Sequence, residues 1–575
     1  MSDEIIVGKA RAPYLLSSYG PGSIVNQGSY AVMPVSSDFW GPLKEMSAPL
    51  FKRDYDIDRL IDLTAMARDK KSVKTILFPD DFYCNKCGLL QRPSKESLGD
   101  IRHLRCEQSG CSGELVVSRY VQYCPLGHID RFDYRFFVHR AGAACKEPVR
   151  IDVRSVSTVS AIMCDCGARQ LIEFGKGSAA GKCFGRMPWL YRNEQCTELV
   201  RVTMRSSSDI YYSATRSSIV IEPESDPEVA KVLEFLETFD EATINDDQFI
   251  NRTIAGNRRL MGISSEKKAL ALDHMQKTSK TDAVGTARRI QFDEFRAFSL
   301  PTGERGRDLW VQQCNLTPLM QALGFEGLSA VRKLREVRAI VGFNRGGQAP
   351  DPAFDGAAYE APVRISARKD ALGYENRGEG VFLRFSATKL RDWLARTVVQ
   401  NRATAFLGAE TRWRAESKRP TGSERRMLYI LAHTFAHLLI RSISLDCGYS
   451  QTSLRERVLT SADEADPWAG ILLYTATSDA DGSLGGLVSL ALDPSRLDTI
   501  LTHALTNTAI CSSDPICAVD EPGTYANING AACHACCIVP EPCCQRGNRF
   551  LDRNLVTPKT LHPQTADLCY FSLDG

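Results

Sequence analysis

The sequence predicts a mixed α+β fold of several domains, with zinc-ribbon-like modules in the N-terminal third and an α/β zinc-binding domain at the C-terminal end. The chain has 575 residues, enough for roughly three to five domains of ordinary size. Helical spacing at 226–239 and a strand-like run at 470–475 indicate both kinds of secondary structure. The 20 cysteines form two groups, ten between Cys84 and Cys196 and nine between Cys447 and Cys569.

Composition and charge exclude several classes of protein. Hydrophobic residues make up 43% of the chain and charged residues 24%, which is typical of a folded globular protein. The net charge is +2, so any nucleic-acid surface must be a local patch. The acidic start, Met1 to Glu4, lacks the basic and apolar regions of a signal peptide. The most apolar stretch, 428–440, contains two histidines and is too short to span a bilayer.

These features predict a cytoplasmic protein without a membrane segment. Cysteines in a reducing compartment are rarely paired as disulfides, so we interpret them as metal ligands. Zn²⁺ is the expected cofactor, because closely spaced cysteine pairs are its preferred ligands.

Composition also divides the chain into five segments. A turn at 19–22 begins a strand-rich start, and a stretch rich in Gly, Pro and Asp at 349–380 is expected to separate two packed units. The predicted segments are 1–75, strand-rich; 76–200, cysteine-rich and zinc-binding; 201–348, helical and mixed; 349–420, a Gly/Pro-rich connection with a mixed segment; and 421–575, a C-terminal zinc-binding domain.

The first cysteine group contains two close pairs separated by a short excursion of the chain. Each pair makes one knuckle, and together they supply four sulfurs for a tetrahedral ion. Gly88 follows the first pair and tolerates the positive φ of a tight knuckle. A set of unrelated buried thiols is the alternative. The predicted ligands are Cys84, Cys87, Cys106 and Cys111.

Two further groups follow in the cysteine-rich region. Cys124 and His128 share a knuckle-like turn, and Cys164 and Cys166 form a close pair. We group the donors in chain order, as Cys124, His128, His139 and Cys145, and as Cys164, Cys166, Cys183 and Cys196. Sites of this kind can also interleave, so the individual pairings stay open.

The C-terminal group has more cysteines than one ion needs. Cys533 and Cys536 have knuckle spacing, and either Cys511 or Cys517, together with Cys544, is expected to complete the site. The remaining thiols are interpreted as packing residues, and a second site in this group is the alternative. Four protein ligands leave no open position for a water, so we interpret all these sites as structural.

His433 and His437 lie four residues apart on one face of a predicted core helix. The spacing is similar to that of the metalloprotease helix, but Thr434 replaces the glutamate that would act as base. We prefer the interpretation that both imidazoles are hydrogen-bonded within an apolar core. The alternative is a zinc-dependent hydrolase or nuclease that uses both histidines and an acid such as Asp481.

No motif for ATP hydrolysis is present. The sequence contains no Gly-x-x-x-x-Gly-Lys-Ser/Thr loop, and the glycine-dense run at 481–487 matches neither that loop nor a nucleophile elbow. We therefore predict no catalytic residue and no ATPase activity for this chain.

Two concentrations of arginine lie beside aromatic residues. Cations for phosphates and rings for base stacking are what a nucleic-acid groove uses, whereas a solvated surface is the alternative. The predicted nucleic-acid-binding residues are Arg332, Arg335, Arg338 and Arg345, near Phe343, and Arg412 and Arg414, beside Trp413.

The order of these motifs resembles the DrmB proteins of the DISARM anti-phage defence system. In the first two thirds of the chain the resemblance lies in 19–25 (YGPGSIV), 124–130 (CPLGHID), and 334–338 leading into Gly342 and Phe343. The C-terminal part resembles a cysteine-rich domain that DrmB shares with MrfA-type helicases. The segments that carry this resemblance are 433–439, 448–457, 482–487, 530–536 and 548–553. Cys537 and Cys543 depart from the family pattern, which makes Cys544 the better match to the family ligand.

The resemblance implies a partner, a large DrmA-like helicase that supplies the missing ATPase, and joint binding of DNA. The segment 421–575 is then a helicase-associated zinc-binding domain. The expected function is that of a non-catalytic subunit in anti-phage defence, whereas the alternatives are the zinc hydrolase above and an assembly scaffold without DNA contact.

Overall fold

The structure is a computed structural model. It describes residues 11–94, 101–139, 145–152, 159–173, 179–221, 223–224, 226–277, 283–301, 308–346, 361–364, 369–416, 427–461, 463, 465–475, 486–523, 528–557 and 567–572. The predicted mixed helix-and-sheet class is confirmed.

The strands and helices of the described residues follow in chain order. The strands are β1 (Val25–Gln27), β2 (Tyr30–Pro34), β3 (Arg59–Asp62), β4 (Thr75–Leu77), β5 (Phe82–Cys84), β6 (Leu90–Gln91), β7 (Leu115–Val117), β8 (Tyr120–Tyr123), β9 (Ile129–Arg131), β10 (Val149–Ile151), β11 (Val159–Cys164), β12 (Arg169–Glu173), β13 (Ala179–Lys182), β14 (Arg186–Met187), β15 (Arg192–Asn193), β16 (Leu199–Met204), β17 (Tyr212–Ile219), β18 (Trp310–Cys314), β19 (Phe325–Asn344), β20 (Ala361–Pro362), β21 (Asp370–Phe385), β22 (Leu454–Thr460) and β23 (Ala469–Thr475). The helices are α1 (Ala12–Leu15), α2 (Pro49–Asp54), α3 (Leu63–Arg68), α4 (Tyr134–His139), α5 (Pro227–Leu236), α6 (Glu241–Ile244), α7 (Asp247–Gly256), α8 (Ser265–Lys277), α9 (Ala283–Ser299), α10 (Pro318–Leu323), α11 (Ala387–Leu394), α12 (Thr397–Glu416), α13 (Met427–Cys447), α14 (Gly486–Leu492) and α15 (Pro494–Thr506).

One large sheet joins the middle of the chain to its C-terminal part. Its main path is β17-β19-β21-β23-β22, and β18 and β20 also pair with β19. The N-terminal strand β3 pairs in parallel with β21. The sheet therefore continues across the boundaries that the sequence predicted on either side of 349–420.

The buried helix α13 packs against β22, β23 and α15. Every residue from Met427 to Ile440 is buried. Among the described helices, α13 is long and apolar enough to cross a membrane, but 83% of its apolar window is buried inside the protein. Here it forms the centre of the largest hydrophobic core.

The cysteine-rich region folds into small antiparallel sheets of strands no longer than six residues. These sheets are β6-β5-β7, β10-β11-β12, β13-β16-β8-β9 and the hairpin β14-β15. Strands this short bury little apolar surface, so other interactions must fix the turns between them.

The predicted helix at 226–239 is confirmed as α5. The carboxylate of Asp226 caps it by accepting hydrogen bonds from the backbone N–H groups of Glu228 and Val229. Together with α6, α7 and α8 it surrounds a hydrophobic core of its own.

Arg345 ties the N-terminal region to the end of the large sheet. Its side chain donates hydrogen bonds to the carbonyl oxygens of Gly22, Gly127 and Ile210, with N···O distances of 2.7 Å to both glycines. The guanidinium also lies over the ring of Phe343, 4.7 Å from its centroid. Only 3% of Arg345 is exposed, so it cannot contact DNA, and its assignment to a nucleic-acid surface is wrong.

Two of the acceptor positions require glycine. Gly22 and Gly127 have φ values of +86° and +80°. A Cβ at Gly127 would lie 2.5 Å from Cβ of Ala361, and one at Gly22 would lie 2.8 Å from the ring of Phe343. The turns at 19–22 and 124–128, both identified in the sequence, therefore accept hydrogen bonds from the same arginine.

We expect Arg345→Met to lower the free energy of unfolding by about 3 kcal/mol or more, because three carbonyl oxygens lose charge-assisted hydrogen bonds. The matched control is Arg412→Met, at an exposed position, with an effect within about 0.5 kcal/mol. Urea unfolding followed by tryptophan fluorescence measures both. An unchanged transition for Arg345→Met would contradict this role.

Candidate metal centres

The first group of four cysteines converges as the sequence predicts. Cys84 ends β5, and Sγ–Sγ distances are 3.6 Å from Cys84 to Cys111 and 3.7 Å from Cys87 to Cys106. Gly88 has a φ of +72°, and a Cβ there would lie 2.1 Å from the carbonyl oxygen of Ile151. The tight knuckle therefore needs this glycine.

The second and third sites interleave, so the grouping in chain order is wrong. All eight predicted donors lie in four-donor clusters, but each cluster contains two donors from each of the two predicted groups. The structure brings together Cys124, His128, Cys183 and Cys196, and, separately, His139, Cys145, Cys164 and Cys166. The reason is sheet pairing, since β16, which begins just after Cys196, lies beside β8, which ends just before Cys124.

In each of these two clusters, one imidazole nitrogen lies near a cysteine sulfur. The other nitrogen contacts an oxygen atom, and this contact orients the ring. Nδ1 of His128 lies 3.3 Å from Sγ of Cys124, while Nε2 lies 2.8 Å from Oε1 of Glu194. In His139 the roles are reversed, with Nε2 3.3 Å from Sγ of Cys166 and Nδ1 2.8 Å from the carbonyl oxygen of Arg135. Partners of this kind fix the tautomer of metal-binding histidines. No pattern in the sequence points to Glu194.

The C-terminal group contains both Cys511 and Cys517, rather than one of them. Sγ of Cys511 lies 3.4 Å from Cys533, and Sγ of Cys517 lies 3.7 Å from Cys536. The predicted inclusion of Cys544 in this cluster is wrong, because four cysteines already complete it.

The distances between sulfur atoms fit a shared ion. A tetrahedral Zn²⁺ with Zn–S bonds of about 2.3 Å places its sulfurs roughly 3.8 Å apart. The cysteine pairs of the four clusters lie between 3.4 and 4.0 Å apart, whereas a disulfide would bring two sulfurs to about 2.05 Å. All 20 cysteines are free thiols. The four cysteine-rich clusters therefore have the donors and the spacing of closed zinc sites.

At two of the cluster cysteines, Cys84 and Cys166, local hydrogen-bond donors favour the thiolate form that binds metal. Burial raises the pKa of the Cys84 thiol, but backbone N–H groups of Cys87 and Lys86 outweigh it and lower the pKa to about 7. The backbone N–H of Ala168, together with the imidazole of His139, lowers the pKa of Cys166 to about 6. Ligands that already ionise near neutral pH bind Zn²⁺ with less competition from protons.

Cys544 lies beside the two histidines of the core helix. His433 and His437 are fully buried on α13, and the carboxylate of Glu456 on β22 faces them both. The structure thus confirms their place in an apolar core and adds an acid that the sequence did not identify. The one available signal was its position in a strand with the apolar Leu454 and Val458 two residues away on the same face. Asp481, the acid of the hydrolase alternative, lies outside the described residues.

The other predicted nucleic-acid-binding arginines are mostly paired. Arg335 is buried between Asp308 and Glu375, and Arg414 is buried against Glu410, so the assignment of both to a DNA surface is wrong. Arg332 and Arg338 are half-buried: Arg332 donates to Gln312 and lies over Trp310, and Arg338 lies 3.8 Å from Glu336. Arg412 is exposed.

Comparison with known proteins shows what two regions of the chain, and most of its length, are similar to. Residues 11–212 match a family model described as a domain of unknown function (DUF8724). Residues 435–537 match the MrfA Zn-binding domain and include all four cysteines of the C-terminal cluster. Over 515 residues the chain is 29% identical to DISARM protein DrmB of Bacillus paralicheniformis (strain ATCC 9945a / NCIMB 11709 / CD-2). The match covers 84% of this chain and 89% of that protein.

The chain is similar to DrmB along most of its length. The resemblance of its motifs to the DrmB family is thereby confirmed, and so is the zinc-binding domain at its C-terminal end. The DrmB match extends over 84% of the chain. The cysteine clusters of both regions supply the donors that zinc needs.

We expect Cys84→Ser to remove one zinc per chain and to lower solubility, because metal-binding free energy is also folding free energy. The matched control is Cys314→Ser, which replaces a half-buried cysteine outside the clusters and leaves the zinc content unchanged. Elemental analysis of protein purified without added metal measures both, and the wild-type chain should contain at least four zinc ions. A wild-type content of one or none would contradict the assignment.

Proposed function

We propose that this chain is a non-catalytic zinc-binding subunit that works with a DrmA-like DNA helicase in cytoplasmic anti-phage defence and helps the complex to bind DNA. The observation that carries the proposal is the similarity to DISARM protein DrmB along most of the chain. The MrfA Zn-binding domain supports it, since that domain occurs here in a sequence without an ATP-binding loop. A partner must then supply the motor.

The coordination of the clusters supports a structural role for zinc. Each cysteine-rich cluster has four protein donors, which leaves no position for a substrate or an activated water. The hydrolase alternative also needs an open site, whereas His433 and His437 are fully buried and face a glutamate and a cysteine. Stabilisation of a binding scaffold is therefore the better-supported use of the metal.

The DNA-contacting surface must be sought away from the buried arginines. On the sheet of the second cluster, Lys182 of β13 lies directly opposite Leu199 of β16, and Arg201 follows two residues later. All three are exposed, and alternation along a strand places Leu199 and Arg201 on the same face. Phe184, two residues after Lys182 in the chain, is 66% exposed.

This exposed face combines cations with apolar and aromatic groups beside a zinc cluster. Cations bind phosphates, and exposed rings stack on unpaired bases, which suits a subunit that assists strand separation. We therefore assign DNA contact to the face formed by Lys182, Leu199 and Arg201, together with the exposed Phe184 that follows β13.

We expect Lys182→Glu/Arg201→Glu to weaken binding of single-stranded DNA at least about tenfold at low salt. The slope of log affinity against log salt should fall by about 1 to 2, because two cations no longer release counterions. Arg258→Glu/Arg259→Glu, at exposed positions next to the helices α5 to α8, changes the net charge by the same amount and is the matched control. Fluorescence anisotropy at two salt concentrations measures all three proteins. Equal affinities of the two double variants would exclude this face.

We expect the purified chain to hydrolyse no ATP with or without DNA, and to co-purify with a co-expressed DrmA-like helicase, whose DNA-stimulated ATPase then appears in the complex. Affinity purification of the tagged chain followed by a coupled ATPase assay tests both parts. ATP turnover that follows this polypeptide alone through several columns would contradict the proposal, and so would failure to form a complex.

A further inference from the structure

Four side chains from three separate parts of the chain meet in the core of the C-terminal region. His433 and His437 come from helix α13, Glu456 from strand β22, and Cys544 from the cysteine-rich end of the chain. Their nitrogen, oxygen and sulfur atoms all lie within 4.8 Å of one another. This four-residue group is separate from the cluster formed by Cys511, Cys517, Cys533 and Cys536.

The distances match coordination of one ion. Nε2 of His433 lies 3.2 Å from Sγ of Cys544 and 3.0 Å from Oε1 of Glu456, and Nε2 of His437 lies 3.4 Å from Oε2 of Glu456. Ligand atoms around a tetrahedral zinc are separated by roughly 3.3 to 3.8 Å, given bonds of about 2.0 to 2.3 Å. The four groups are therefore arranged at nearly the required spacing.

Two polar atoms of this four-residue group lack a hydrogen-bond partner. Among the described residues, neither Nε2 of His437 nor Oε2 of Glu456 forms a hydrogen bond, although both side chains are fully buried. Unsatisfied polar atoms in a protein core cost free energy, so they are rare without a function. A cation bound between them would satisfy both.

The far side of each imidazole is already occupied. Nδ1 of His433 lies 3.3 Å from the carbonyl oxygen of Phe550, and Nδ1 of His437 lies 2.8 Å from that of Cys537. Carbonyl oxygens only accept hydrogen bonds, so the proton of each neutral ring is placed on Nδ1. The lone pair of each Nε2 is then directed at the shared point, as in other metal-binding histidines.

Cys544 has the local geometry of a ligand cysteine. Its Sγ accepts hydrogen bonds from the backbone N–H groups of Arg546 and Asn548 at 3.2 Å. In the clusters, Sγ of Cys84, Cys183 and Cys511 likewise accepts a hydrogen bond from the backbone N–H two residues downstream. The adjacent Cys543 differs, because its thiol donates to the carbonyl oxygen of Gln451 and is therefore protonated.

We propose that His433, His437, Glu456 and Cys544 form a further zinc site, closed and structural, that binds the C-terminal cysteine-rich segment to the core helix and to the large sheet. Imidazole, carboxylate and thiolate are all zinc ligands, and a mixture of all three is typical of zinc rather than of magnesium or calcium. His433 and Cys544 lie outside the residues that match the MrfA Zn-binding domain, so that match does not include a complete set of ligands for this site.

The site would connect the two metal centres of the C-terminal region through one short segment. Residues 533–537 contain two ligands of the four-cysteine cluster and also the carbonyl that orients His437. Four protein donors and complete burial of both histidines leave no room for a substrate. The inference therefore concerns how the zinc-binding domain is held together, and it does not depend on the proposed DNA contact.

Zinc content of two neighbouring cysteine variants tests the proposal. Wild-type protein, Cys544→Ser and the matched control Cys543→Ser are purified as monodisperse samples, and zinc per chain is measured by elemental analysis. We expect five zinc ions in the wild-type chain and in Cys543→Ser, and four in Cys544→Ser. The nearly isosteric variant Glu456→Gln should also lose the ion or bind it more weakly.

A network of ion pairs without metal is the rival explanation. It predicts that Cys544→Ser and Glu456→Gln contain as much zinc as the wild-type protein, and this result would overturn the proposal. If both variants fail to fold, native mass spectrometry of the wild-type chain decides. Five bound zinc ions support the site, and four or fewer overturn it.

Discussion

The convergence of four donor atoms on one point is the constraint on which the cysteine-rich region depends. Its strands contain at most six residues in the part of the region that the structure describes, and the hydrophobic clusters around them are small. Hydrophobic burial alone is a weak source of stability for sheets of this size. Metal–ligand bonds compensate for this, because the free energy of binding is also free energy of folding. The large sheet, with β19 of 20 residues, has no such need.

A buried cation connects these two kinds of structure. Arg345 follows the longest strand and reaches two glycine carbonyls in turns that are far apart in sequence. One of these turns, at 124–128, carries two ligands of the second cluster. Metal-stabilised modules and a conventional core are thus joined by hydrogen bonds from one guanidinium, which suits arginine because its planar group donates in several directions at once.

Local features of the site could be predicted from the sequence, whereas pairings between distant segments could not. Cys84 and Cys87 reveal a knuckle by their spacing and by the glycine that follows. The assignment of Cys183 and Cys196 to Cys124 depends on which strands lie side by side, and this is decided by packing of the whole region. Glu456 was missed for the same reason, since nothing within β22 shows that two histidines from α13 face it.

The arginines show how composition can mislead. Arg335 and Arg345 stand near aromatic residues in a basic segment, as they would in a nucleic-acid groove. The segment is instead a central strand, and the acids that neutralise Arg335 come from 308 and 375. Only the tertiary fold brings those charges together. Domain size and mixed secondary structure were easier to predict, because they follow from length and from periodic patterns within single elements.

The interleaving of the second and third clusters has a consequence for the order of assembly. The residues His139, Cys145, Cys164 and Cys166 all lie within the loop that the outer cluster closes between His128 and Cys183. When the inner four donors come together first, the free chain left in the outer loop shortens roughly twofold, and its closure becomes easier by about 0.6 kcal/mol. Binding of metal at the outer cluster first also restricts the chain between the inner donors, which lowers the cost of bringing them together by a comparable amount. Each ion therefore favours binding of the other. Nested ligand sets therefore make metal uptake by this region cooperative, without any contact between the ions.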